Sequence, residues 1–371
     1  MKIAIFTGPT GGHFYPALAF AEAFLKRYPD SEILFVTGAR GRRLTEKVQA
    51  GLRFELIPDF PFPRSRNWEF FLRIFQFLIK LTHAFTRTNR QLAAFGPQIC
   101  IGFGSYASFP GLVAGRRRKI PTVIHEQNRE MGKANRHLMR WADRIAFSFP
   151  VTTPDPRVVV TGLPLRSPLV QKAAQKTQST FPIPPQKVRL LIVCGSQGSE
   201  AVNRLWLRTL GLLSREEKSK MAVTHITGEG DLGRFLKMYP ALGVEAEVFG
   251  YYEKMEELYF RSDFAITRAG AGTLFELALF GLPAIVFPYP HAESHQEANA
   301  RFFDQQEALI LLNEAKCTPE ELKENLLILT NSSELRRKLS NRIRCLARPN
   351  AAEALVDTAR ALLAEQEVVL K

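Results

Sequence analysis

Short apolar runs recur along the whole chain, and the stretches between them carry apolar residues at helical spacing. In the first half the strand candidates are Ile3–Thr7, Ile33–Thr37, Phe54–Ile57, Ile99–Phe103, Thr122–His125 and Arg144–Phe149. The second half starts afresh with Leu190–Cys194, then Val223–Thr227, Glu247–Gly250, Phe264–Thr267, Ala284–Phe287 and Ala308–Leu312. The last third reads as helices, Glu320–Leu329, Glu334–Leu346 and Ala351–Gln366. Alternating strands and helices predict an α/β chain with parallel sheets covered on both faces. Between the halves, Pro150 through Pro185 holds eight of the 23 prolines and includes the polar run Lys172–Phe181. That stretch predicts a domain boundary, and 371 residues suffice for two domains.

Two strand candidates run directly into glycine-rich loops. Lys2–Thr7 leads into Gly8-Pro9-Thr10-Gly11-Gly12-His13, and Leu190–Cys194 leads into Gly195-Ser196-Gln197-Gly198-Ser199. Each loop precedes a helical pattern. Strand, glycine loop and helix together aim backbone N–H groups and a helix N-terminus at a phosphate. A single such loop also fits a glycine needed only for a tight turn.

Composition narrows the class. With 46% hydrophobic and 23% charged residues the chain is globular rather than disordered. Cys100, Cys194, Cys317 and Cys345 are scattered without a Cys-x-x-Cys pair, which argues against a zinc site and a disulfide framework. Lys2–Thr7 is too short for a signal peptide, and no apolar run is long enough to span a membrane. The net charge of +14 is concentrated: Phe60 to Arg144 contains fifteen Lys or Arg and four Asp or Glu, a balance of +11. Such a surface suits nucleic acid or an anionic membrane.

The stretch Trp68–His83 decides between those two. Its polar residues Glu69, Arg73, Gln76, Lys80 and His83 step by 4, 3, 4 and 3, which draws one narrow polar stripe on a helix. The rest, including Trp68, Phe71, Phe75 and Leu78, is an apolar arc wider than one buried face needs. With Arg64, Arg66 and Arg116–Lys119 nearby in sequence, the pattern favours an anionic membrane surface contacted by Trp68, Phe71, Arg73, Phe75, Leu78 and Lys80, and no nucleic acid. A helix sandwiched between protein layers has the same pattern.

Several polar residues stand where α/β folds place ligands. His13 opens a helix predicted over Phe14–Arg27, whose dipole opposes protonation; a neutral imidazole there can serve as base, or can simply cap. His125-Glu126-Gln127-Asn128 follows a strand candidate and fits a ligand site or a polar turn. Arg268-Ala269-Gly270-Ala271-Gly272-Thr273 precedes a helix predicted over Thr273–Phe280, which carries Glu276, a carboxylate able to accept both hydroxyls of a ribose. Ser294–Asn299 could bind a sugar or start a helix. No Asp-x-Asp stands in a loop between strand candidates, so a leaving diphosphate would be neutralised by helix dipoles and a cation such as Arg166, with no metal and no other cofactor.

In this order the motifs resemble the MurG family, transferases of N-acetylglucosamine from UDP in peptidoglycan synthesis. The family's GGTGGH appears as Gly8–His13, followed by Tyr15-Pro16-Ala17-Leu18-Ala19; its GGYVSxPG as Gly104–Gly111; its HEQN as His125–Asn128; its GGSQG as Cys194–Gly198; its R-x-G-A-x-T-x-x-E as Arg268–Glu276; and its H-Q-x-x-N-A as His295–Ala300. Pro9, Cys194 and Ser105 stand where the family has glycine, and Gly250–Lys254 is irregular. The resemblance implies a glycosyltransferase-B fold, two Rossmann-like domains facing a cleft. Residues 1–163 would bind the acceptor, with helix 350–366 packing back on them, and 164–349 would bind the donor.

The resemblance also implies roles. Glu276 would hold the ribose, and Tyr252 would lie where the uracil packs. Ser196, Arg166 and the helix start at Ala271, Gly272 and Thr273 would meet the diphosphate. Gln296 and Asn128 would contact the sugar with His295 close by, and Thr10, Gly11 and Gly12 would border the donor. His13 would be the base. Gly11, Gly12, Gly104, Ser105, Tyr106 and Glu126 would meet the acceptor. The implied reaction is inverting, metal-independent transfer from UDP-N-acetylglucosamine to lipid I, the undecaprenyl-diphospho-N-acetylmuramoyl-pentapeptide, giving lipid II at the cytoplasmic face of the bacterial inner membrane, alongside other cell-wall and division proteins. The alternatives are a transferase acting on a diacylglycerol acceptor and a non-catalytic membrane adaptor.

Overall fold

A computed structural model describes residues 1–46, 48, 51–60, 69–178, 187–195, 197–290 and 295–369. The chain divides into two units, Met1–Arg166 with Pro349–Lys371, and Ser167–Arg348. The division falls inside the proline-rich stretch, three residues after the expected 163/164 boundary.

The first unit is a parallel sheet of β1 (Lys2–Thr7), β2 (Glu32–Gly38), β3 (Arg53–Ile57), β4 (Ile99–Gly102), β5 (Thr122–Glu126), β6 (Arg144–Phe147) and β7 (Val158–Val160), in the order β3-β2-β1-β4-β5-β6-β7. The central β1 is apolar on both faces because helices cover both. Ile3 and Ile5 pack with Phe14, Phe20 and Phe24 of helix Gly11–Arg27 and with Leu355, Val356 and Ala359 of the last helix, Ala351–Val369. Ala4 and Phe6 pack with Ala84 and Leu92 of helix Glu69–Phe95 and with Leu112 of helix Ser105–Arg117.

The second unit repeats the plan with β8 (Val188–Val193), β9 (Met221–Ile226), β10 (Glu245–Phe249), β11 (Phe264–Thr267), β12 (Ala284–Val286) and β13 (Ile310–Leu311), in the order β10-β9-β8-β11-β12-β13. In both sheets the order reverses beside the first strand: β1 lies between β2 and β4, and β8 lies between β9 and β11. Ligands of open parallel sheets bind at such a reversal, outside the carboxyl ends of the strands.

Three details differ from the sequence reading. The stretch that holds the boundary also contains β7 and a helix, Ser167–Gln178. Val158–Val160 is too short to carry a periodicity, and the prolines hid the helix that begins at Ser167. Helix Glu69–Phe95 continues past His83, because Ala84, Thr88, Leu92 and Phe95 extend its buried stripe. Helix Ala271–Phe280 starts before Thr273, with Gly270 in extended conformation as its N-cap.

A chain of buried hydrogen bonds reaches from the core of the second unit to its glycine loop. Trp206 Nε1–H donates to the Tyr239 hydroxyl at 2.8 Å, which meets His225 Nδ1 at 2.8 Å. The other ring nitrogen of His225 lies 3.2 Å from Asn203 Oδ1, and Asn203 Nδ2 donates to the Thr227 carbonyl at 2.9 Å and to Asp231 at 2.8 Å. Gly198, at φ +71°, lies against that carbonyl: a Cβ on it would come within 2.6 Å of the Thr227 carbonyl carbon. Nothing lies within 4 Å of a Cβ built on Gly272.

Two outcomes follow. Burial holds His225 neutral, its pKa pushed from 6.5 down to about 3. Below about pH 6.5 the unfolded chain therefore gains a proton that the folded chain refuses, and stability falls as pH drops toward 3. Melting temperature should decline through this range in the wild-type protein and decline less in His225→Gln; equal declines would exclude His225 as a source. Gly198→Ala should destabilise by more than about 1 kcal/mol, through overlap and a left-handed backbone, whereas Gly272→Ala should leave unfolding unchanged within about 0.5 kcal/mol. Denaturant unfolding of the two variants distinguishes them.

Candidate active site

In the first unit the loops after β1 and β4 meet, since Phe6 pairs with Gly102. Helix Gly11–Arg27 begins with Thr10 as N-cap, whose hydroxyl makes no capping bond. The Thr10 carbonyl accepts from the N–H groups of His13 and Phe14, so those of Gly11 and Gly12 precede the helical ladder. Nothing lies within 4 Å of a Cβ built on Gly12, and one built on Gly8 would strike Ser105 Cβ at 2.6 Å. Gly104 caps helix Ser105–Arg117 at φ +73°. Ser105 itself sits at φ +64°, a left-handed backbone that a residue other than glycine rarely adopts. Tyr106 is half-buried against the core.

His13 is the third residue of its helix, and its Nδ1 lies 2.8 Å from the Phe103 carbonyl. That contact assigns the hydrogen to Nδ1 and the lone pair to Nε2. Gln127 Nε2 donates to the same carbonyl at 2.8 Å.

The four polar residues at the end of β5 do not act as a group. His125 is fully buried, its pKa pushed down to about 4 by burial, with Nε2 3.2 Å from the Gly162 carbonyl. Glu126 is 2% exposed. Its Oε1 accepts from the backbone N–H of Asn128 at 3.0 Å and from the side chain of Asn128 at 3.3 Å. Its Oε2 accepts from Gly132 N–H at 3.0 Å and Asn135 Nδ2 at 2.9 Å. This carboxylate folds the loop. Asn128 is the member of the four that is partly exposed.

Arg166 ends the first unit. Its guanidinium lies 4.8 Å from the Tyr15 ring, and its charge reaches Glu22, whose carboxyl burial pushes above the usual range. It thus stands beside the His13 helix.

In the second unit the loops after β8 and β11 are neighbours, and the Thr267 hydroxyl donates to the Val193 carbonyl at 2.6 Å across the reversal. Ser196 lies outside the described residues. Cys194 is buried, its thiol pushed up to about 12. Ala271, Gly272 and Thr273 form the first turn of helix Ala271–Phe280, where N–H groups lack helical partners. Glu276 is half-buried on that helix and accepts from the Tyr259 hydroxyl at 2.8 Å.

The loop before the helix is held by side chains. Gln296 Oε1 accepts from Ala269 N–H at 3.2 Å and Tyr289 N–H at 2.9 Å. With its oxygen engaged, Gln296 can offer a sugar its amide NH2. Asn299 donates to the Ala269 carbonyl at 3.3 Å, and His295 Nδ1 is buried without a partner among the described residues. Arg268 pairs with Glu314, donates to Ser199 Oγ at 2.6 Å and stacks 5.3 Å from the Tyr289 ring. Tyr252 packs 4.9 Å from Phe249 and donates to Glu257 at 2.8 Å, whereas Tyr251 is the more exposed ring. Sequence reasoning gave Arg268 and Asn299 no role of their own, although both stand inside quoted motifs, and gave Tyr259 none at all.

Helix Glu69–Phe95 presents a second surface. Phe77, Leu81, Ala84, Thr88 and Leu92 face the core, while Leu72, Phe75, Leu78 and Ile79 are 55%, 60%, 50% and 53% exposed. Arg73 and Lys80 are exposed beside them. Trp68 and the side chain of Phe71 lie outside the described residues. Arg117 stacks 4.9 Å from Phe85, bringing the basic cluster of residues 116–119 alongside this helix. Among the described residues no helix is long and apolar enough to cross a membrane, and no three His, Cys, Asp or Glu are grouped as metal ligands would be.

Residues 3–147 match the glycosyltransferase family 28 N-terminal domain, and 189–355 match the glycosyltransferase family 28 C-terminal domain. The chain is 34% identical to a UDP-N-acetylglucosamine–N-acetylmuramyl-(pentapeptide) pyrophosphoryl-undecaprenol N-acetylglucosamine transferase of Carboxydothermus hydrogenoformans, covering 98% of each sequence. It is 34% identical to the enzyme of that name from Pelobacter propionicus, over 96% of this chain and 98% of that one. The crystal structure of Acinetobacter baumannii MurG superposes with a TM-score of 0.76 at 26% identity, over 96% of this chain and 98% of that chain. The paired parallel sheets are those of the glycosyltransferase-B fold, and the chain belongs to the MurG family of N-acetylglucosaminyltransferases.

Proposed function

We propose that the chain transfers N-acetylglucosamine from UDP-N-acetylglucosamine to the muramyl unit of lipid I, forming lipid II. The observation that carries the donor half is helix Ala271–Phe280, which starts with N–H groups that have no partner among the described residues and bears Glu276. Those N–H groups and the helix dipole suit a diphosphate, and Glu276 suits ribose hydroxyls. Gln296, with His295 and Asn128, serves the sugar. Tyr252 serves the base, and Ser196 and Arg166 serve the phosphates. The N–H groups of Gly11 and Gly12, with Gly104, Ser105 and Tyr106, serve the acceptor diphosphate.

In this reading His13 Nε2 removes the proton from the acceptor hydroxyl as that oxygen attacks the anomeric carbon. The bond to the UDP oxygen breaks on the opposite face, so the configuration inverts. The Phe103 carbonyl keeps Nδ1 protonated and the Nε2 lone pair aimed, and the helix N-terminus with Arg166 neutralises the departing diphosphate. Labelled UDP-N-acetylglucosamine incubated with a lipid I analogue should yield labelled lipid II, in EDTA as well as without it. His13→Ala should lower kcat by roughly 10²–10⁴-fold and spare UDP binding. No labelled lipid product would contradict the function. Loss in EDTA restored by magnesium would contradict metal-independent departure, and a fall in kcat under about tenfold would remove His13 as base.

The exposed face of helix Glu69–Phe95 supports peripheral binding to an anionic bilayer, at the cytoplasmic face where the polyprenyl acceptor is anchored. Each Lys or Arg near such a surface adds about 1 kcal/mol, and buried apolar side chains add more. The protein should sediment with anionic vesicles, less with neutral ones, and dissociate as salt rises. Leu72→Ser with Phe75→Ser and Ile79→Ser should weaken the binding without loss of UDP affinity. Failure of the wild-type protein to bind anionic vesicles at low salt would exclude this face as a membrane contact.

A further inference from the structure

Tyr259 is 2% exposed and projects from the short helix Met255–Arg261 onto the helix that carries Glu276. Its hydroxyl donates to Glu276 Oε2 at 2.8 Å, and its ring lies 5.5 Å from Phe280 at the end of that same helix. The main chain beneath it is anchored from a third direction. Lys176, on helix Ser167–Gln178, donates its ammonium to the Tyr259 carbonyl at 2.8 Å and to the Ser262 carbonyl at 3.1 Å. The phenol is therefore fixed by its ring, its backbone and its hydroxyl, whereas a half-buried glutamate on its own has several rotamers to lose on binding. A carboxylate has about four lone-pair sites. The phenol takes one of them and so holds the carboxylate in one orientation.

We propose that Tyr259 is a positioning residue that presets Glu276, and that it thereby contributes to discrimination between ribose and deoxyribose in the donor nucleotide. This rests on the reading of Glu276 as the ribose contact. A phenol that merely satisfied its own burial would leave that discrimination untouched, because any loss would fall equally on both sugars.

The test is calorimetric binding of UDP and 2′-deoxy-UDP to the wild-type protein, Tyr259→Phe, Glu276→Ala and the double variant. Wild-type protein should favour UDP, and Glu276→Ala should lose the preference. Tyr259→Phe, which keeps the ring packing, should weaken UDP binding about three- to tenfold, with a smaller loss for 2′-deoxy-UDP, and should add nothing once Glu276 is absent. The ratio of the two affinities does not depend on the fraction folded, so partial instability of a variant does not obscure it. Tyr259→Phe with wild-type preference, beside a Glu276→Ala that has lost it, would overturn the proposal alone. Glu276→Ala with wild-type preference would overturn the ribose reading and the proposal with it.

Discussion

The reversal of strand order beside β1 and beside β8 is the constraint on which the rest depends. Helices leaving the first strand of each sheet go to one side, and the chain returns on the other to start β4 or β11. Loops that leave two adjacent strands in opposite directions open a space between them, with strand ends and helix N-termini pointing into it. The four glycine loops of the candidate site follow these four strands. The first unit thus gathers Gly8–Gly12 and Gly104, and the second gathers Gly195–Gly198 and Gly270–Gly272.

Loops in that position need support, because glycine loops have no side chains with which to hold themselves. The support comes from buried polar groups behind them. Glu126 gathers the backbone and side chains of the loop after β5. The chain from Trp206 through Tyr239, His225 and Asn203 ends on the Thr227 carbonyl that Gly198 lies against. Arg268, Gln296 and Asn299 hold the loop before Gly270. Each group has partners, as burial demands, and a ligand meets N–H donors that are already in place.

The strands and their glycine loops were legible because apolar runs buried on both faces differ sharply from the loops that end them. The start of helix Ala271–Phe280 was misplaced at Thr273, since glycine and alanine carry no capping signal. The polar residues at the end of β5 show the limit most clearly. A row of His, Glu, Gln and Asn looks equally ready for a ligand, yet burial turns the first three inward. Which polar side chain supports a loop and which faces a ligand depends on partners far away in sequence: Gly162 for His125, Phe103 for Gln127, Tyr259 for Glu276. Helix Glu69–Phe95 was read correctly as having more apolar surface than one buried face can use; which side remains outside emerged only with its packing against Phe60 and helix Ser105–Arg117.

The central claim is that unbonded N–H groups at a helix start receive the donor diphosphate. Amide hydrogen exchange with and without saturating UDP tests it most directly. The account expects slower exchange at Ala271, Gly272 and Thr273 and in the loop around Gly198, with the first turn of helix Gly11–Arg27 unchanged. Slowing confined to Gly11 and Gly12, with Ala271–Thr273 unaffected, would contradict it.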